Sequence, residues 1–62
     1  MRALHERRVA RCLRALANYD TDHDLEHCLV DLLIDARHWC ANNGHSFLAL
    51  DRRAFRAWRD ER

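Results

Sequence analysis

Apolar residues recur at helical spacing in three blocks along the chain. In the first block, Val9, Cys12, Leu13 and Leu16 fall three and four residues apart, and Tyr19 continues the row. Arg7, Arg11 and Arg14 take the opposite side. This spacing predicts an amphipathic helix over about residues 2–19, and the interspersed alanines favour it further. In the second block, Leu25, Cys28, Leu29, Leu32, Leu33, Ala36, Trp39 and Cys40 form one broad stripe. It predicts a helix over about residues 22–43, wide enough in its apolar face to touch two neighbours. In the third, Phe47, Leu50, Ala54 and Trp58 line one side of a helix over about residues 46–60.

The breaks between blocks carry recognisable signals. Thr21 or Asp22 is placed to cap the second helix, and Glu26 sits near its positive end. Asn42-Asn43-Gly44 is a stop, with Gly44 at the left-handed position beyond the helix. Ser46 caps the third helix. That helix runs through Leu48-Ala49-Leu50 without a breaker, in preference to a single turn at 47–50 and a second start at Asp51. One glycine and no proline leave too little turn punctuation for a strand-rich fold. Connections this short favour antiparallel neighbours. The expected fold is therefore all-α, an up-down-up three-helix bundle forming one domain over residues 1–62.

Size changes that picture. A chain of 62 residues buries only about 60% of its unfolded surface. Domains this small usually rely on disulfides, a metal or a partner subunit. Val30 and Ile34 lie off the main stripe of the second helix, close to the line of His27. Leu48 and Phe55 lie off the stripe of the third. A monomer needs one core, so leftover apolar residues predict a second buried surface. Val30, Ile34, His27, Leu48 and Phe55 are accordingly the expected partner interface, and self-association as a homodimer is the expected state. A buried His27 would make that contact weaken on protonation, near a reference pKa of about 6.5. An oligomeric state unchanged across a titration through that range would exclude this.

The net charge is +1, which by itself announces no polyanionic partner. Charge is nevertheless segregated. Residues 1–19 carry five arginines against one glutamate, residues 20–40 six acids against one arginine, and residues 41–62 five arginines against three acids. All eleven cations are arginine, which favours bidentate and stacked contacts. Arg52, Arg56 and Arg59 form a row on the third helix with Phe55 at its edge. Such a row could track phosphates, so nucleic-acid binding is the alternative function. The acidic second helix opposes it.

Other chemistry finds little support. His23, His27, Asp31, Asp35 and His38 follow one another at spacings of three and four, and imidazole with carboxylate suits zinc. Ligands strung along one helix cannot all close on one ion, so this reads as a solvated polar face, and no metal or cofactor is expected. Cys12, Cys28 and Cys40 are odd in number and lack a C-x-x-C pair. They read as small buried hydrophobes in a reducing compartment. His38 and Cys40 are two apart on a helix and point away from each other. There is no glycine-rich phosphate loop, no run of about 20 apolar residues and no signal-peptide core at the N-terminus. The expectation is a non-enzymatic protein of the cytoplasm, not held in a membrane.

The run Asp31-Leu32-Leu33-Ile34-Asp35-Ala36-Arg37-His38-Trp39-Cys40 is followed by Gly44, Phe47, Leu50-Asp51-Arg52-Arg53-Ala54 and Trp58. Over residues 29–60 this pattern resembles short, uncharacterised helical proteins borne on bacterial phages, plasmids and integrated elements. The resemblance implies a mobile-element setting and carries over no activity. The function expected is a protein–protein interaction module, an accessory protein of a phage or plasmid, acting on itself and on a host partner.

Overall fold

The computed structural model describes residues 2–19 and 24–62. It contains three helices, α1 (Arg2–Leu16), α2 (Leu25–Asn42) and α3 (Phe47–Glu61), and no strand among the described residues. The all-α, three-helix expectation holds, with ends shifted by at most three residues. α1 stops at Leu16 because the backbone tightens into a turn, where Ala17 donates to the Leu13 and Arg14 carbonyls and Tyr19 to that of Leu16. α2 is capped by Asp24, whose carboxylate accepts from the His27 N–H at 2.8 Å. That corrects the choice of cap. Thr21 and Asp22 lie outside the described residues, and the acidic run supplies its cap nearer the helix. Glu26 stands in the first turn as expected.

The α2–α3 elbow follows the signals read from the sequence. Gly44 adopts φ +71°, and the His45 N–H returns to the Cys40 carbonyl at 2.8 Å. This is the six-to-one hydrogen bond of a Schellman ending. Ser46 Oγ accepts from the Ala49 N–H at 3.2 Å, so α3 is capped two residues after the glycine and starts at the third. Two ring contacts brace the corner. Trp39 stacks on His45 with centroids 5.3 Å apart, and the Arg37 guanidinium sits 4.3 Å above the Phe47 ring. A Cβ at Gly44 would meet open space, so only the left-handed backbone resists substitution. Gly44→Ala should therefore lower stability by about 1–2 kcal/mol, the cost of placing an L-residue in that region. Urea unfolding checks this, and an unchanged midpoint would show that the elbow can relax.

What the helices do not do is close on a core. α1 packs on α2 and α2 on α3. α1 and α3 are joined by a forked pair, Arg8 to Glu61 at 2.7 and 3.0 Å. Arg8 lies mid-way along α1 and Glu61 ends α3, so the three helices outline a flat, open figure of 35 × 32 × 14 Å. The radius of gyration is 13.1 Å, against about 10.5 Å for a compact domain of this length. The chain exposes 5568 Å², where a compact monomer of 7.4 kDa would expose about 4,200 Å². Among the described residues only Leu16, Cys28 and Cys40 are buried hydrophobes. No helix among them is long and apolar enough to cross a membrane.

Candidate interaction surface

Much of the stripes predicted as core is exposed, although Leu16, Cys28 and Cys40 on them are buried. Eleven large apolar side chains among the described residues are 40–63% exposed, including Val9 and Leu13 of α1, Leu25, Leu29, Leu33 and Trp39 of α2, and Trp58 of α3. Helical spacing puts each on its stripe correctly. The open arrangement then leaves those stripes facing space instead of one another.

Leu33, Trp39 and Trp58 line an apolar trough. Between α2 and α3 lies a groove of about 470 Å³ lined by Leu33, Ala36, Trp39, Cys40, Phe47, Leu50, Asp51 and Ala54. Asp51 is its one charged wall. A second hollow of about 280 Å³ is lined by Arg8, Ala54, Ala57, Trp58 and Glu61, where α1 meets the end of α3. Ala54 borders both, so the trough follows α3 from the elbow to the Arg8–Glu61 pair. Trp58 is held at its far end by two contacts. Phe55 tilts against it at 5.7 Å, and the Arg62 guanidinium lies 4.6 Å above its ring.

The residues expected to form the interface divide into two sets. Val30 and Ile34 are about half exposed on α2. Val30 and His27 share a shallow hollow with Asp24 and Glu26, and the His27 imidazole lies 3.6 Å from Asp31. Leu48 and Phe55 are exposed on α3, and Phe55 joins the trough through Trp58. The expectation missed the larger surface, the stripes themselves. The available signal was the chain's small size, which left in doubt whether three stripes could cover one another.

Arg52, Arg56 and Arg59 are exposed along α3. Arg59 approaches the neighbouring Asp60 at 3.8 Å, and no ion pair among the described residues engages Arg52 or Arg56. The carboxylates of α2 likewise have no arginine within ion-pairing distance among the described residues. Among those residues, no group of three or more His, Cys, Asp or Glu is gathered closely enough to hold a metal ion; His23 lies outside them. Cys12 is exposed, which corrects the expectation of three buried thiols. It falls on the side of α1 that the open layout leaves uncovered.

Two polar contacts link the helices. In the Arg8–Glu61 fork, hydrogen bonding and charge raise the guanidinium pKa and hold the Glu61 carboxyl below its ordinary value. A lowered carboxylate stabilises the fold above its ordinary pKa, and that contribution is lost as pH falls through the folded value. The second contact ties the end of α1 to the middle of α2. Tyr19 donates its hydroxyl to Asp35 at 2.6 Å. That hydrogen bond, aided by partial desolvation and the charges of Asp35 and Asp31, raises the phenol pKa above its ordinary 10.0. A raised acid stabilises the fold below its ordinary pKa and loses that contribution as pH rises through the folded value. Tyr19 is the single tyrosine, so its ultraviolet titration reads this contact alone. The midpoint should lie above 10.0 and return toward it in Asp35→Asn. A wild-type midpoint at the ordinary value would show the contact is not formed in solution.

Compared with protein-family models, curated proteins and solved structures, the chain has no match.

Proposed function

We propose that the chain is a non-enzymatic protein–protein interaction module that works as a homodimer. The observation that supports this is the uncovered apolar stripe on each of its three helices. A stripe that wide, left half exposed, tends to draw a protein partner. In this reading, the close-packed bundle expected of helices with such short connections is completed by helices from two chains. The setting of a phage or plasmid accessory protein rests on the resemblance of residues 29–60, and location in the cytoplasm on the cysteine pattern. Light scattering on the purified protein tests the reading. A mass of twice 7.4 kDa is expected at micromolar concentration, and a well-folded species of 7.4 kDa at millimolar concentration would overturn it.

A second reading draws on the arginine row. Arg52 and Arg56 are exposed and unengaged by carboxylates among the described residues, which suits binding to phosphates. Under it, retention on heparin or DNA falls with salt and is lost in Arg52→Ala/Arg56→Ala. Retention unchanged in that variant would remove this reading.

A further inference from the structure

We propose that the second copy packs face to face over the trough of α3 and the Leu29–Leu33 stripe of α2, and not along the Val30–Ile34 edge. This rests on the self-association reading above and names the surface that would carry it.

Area is the first argument. The chain exposes roughly 1,400 Å² more than a compact monomer of its mass. A standard interface takes about 800 Å² from each partner, and obligate homodimers bury about 2,000–5,000 Å² in total. Covering the excess on both chains removes about 2,700 Å², within the obligate class. Leu29, Leu33, Trp39 and Trp58, on or beside the trough and stripe, are each 40–56% exposed. Val30 and Ile34 are two side chains on one helix and cannot account for that excess.

Shape gives the second argument. One chain is a layer only 14 Å thick with a radius of gyration of 13.1 Å. Two such layers stacked with their centres one thickness, 14 Å, apart have a combined radius of about 15 Å. A compact body of two chain lengths has a radius of about 13.7 Å. Stacking therefore converts two open layers into one body of ordinary compactness. Joining them at an edge instead sets their centres a whole layer width apart, and that width is 35 or 32 Å. The radius then rises to roughly one and a half times the compact value, and the trough stays as open as before.

Small-angle X-ray scattering with light scattering on the intact wild-type chain tests this. A dimer mass with a radius within a tenth or so of the compact value supports face-to-face packing. A dimer mass with a radius roughly one and a half times that value overturns the surface named here while leaving self-association intact. A monomer mass overturns both. As a second arm, Leu33→Glu should weaken dimerisation at least 30-fold, whereas Ile34→Glu should change it less than threefold; the reverse order overturns the proposal. If Leu33→Glu fails to fold, isotope-filtered NOEs between wild-type copies replace it. Contacts from Leu33 methyls to the Trp58 ring or α2 of the other copy are expected, and contacts confined to Val30 and Ile34 would overturn it.

Discussion

Trp58→Ala should weaken self-association by about 30-fold or more. The indole is half exposed in the single chain, yet it is already held by Phe55 and by the Arg62 guanidinium. A side chain fixed before binding loses little rotamer freedom on contact. Its place in the trough puts it on the face that the proposed partner copy covers. Tryptophans in such positions commonly contribute about 2 kcal/mol or more, which corresponds to about 30-fold in affinity. Sedimentation equilibrium of the variant reads the change. A shift below threefold would mean that Trp58 faces solvent in the assembly. Circular dichroism at high concentration separates lost affinity from lost fold, since the concentrated variant should regain wild-type helicity.

Dilution should unfold the wild-type protein. Three buried hydrophobes among the described residues are too few to offset the entropy of ordering the chain. Folding is therefore expected to be coupled to association, as in obligate homodimers. Each tenfold dilution should then lower the apparent stability per dimer by about 1.4 kcal/mol, and the urea midpoint should fall with it. Denaturation curves over a thousandfold range of concentration check this. Superimposable curves would show a self-sufficient monomer.

The local features are legible because local physics decides them. Ser46 and Gly44 are read from capping and left-handed preferences that act within a few residues, and both perform as expected. The stripes of α1, α2 and α3 follow from spacing alone, and each is real. The cap of α2 is misplaced by sequence reading because several acidic residues compete there and only Asp24 stands directly before Leu25. What the sequence does not convey is how far the stripes cover one another. That depends on crossing angles and on the Arg8–Glu61 and Tyr19–Asp35 contacts, which join residues 53 and 16 positions apart and leave no mark in periodicity. Val30 and Ile34 stand out as leftovers only if the main stripe is covered. With Leu29, Leu33 and Trp58 open, the leftovers become the smaller part of the apolar surface.

The most direct test of the central claim, that one chain is half of a folded unit, is sedimentation equilibrium and far-ultraviolet circular dichroism on the same dilution series. Mass should fall from twice 7.4 kDa to 7.4 kDa over the same concentration range in which helicity is lost. A 7.4 kDa species that keeps its full helicity and unfolds cooperatively at every concentration would contradict it.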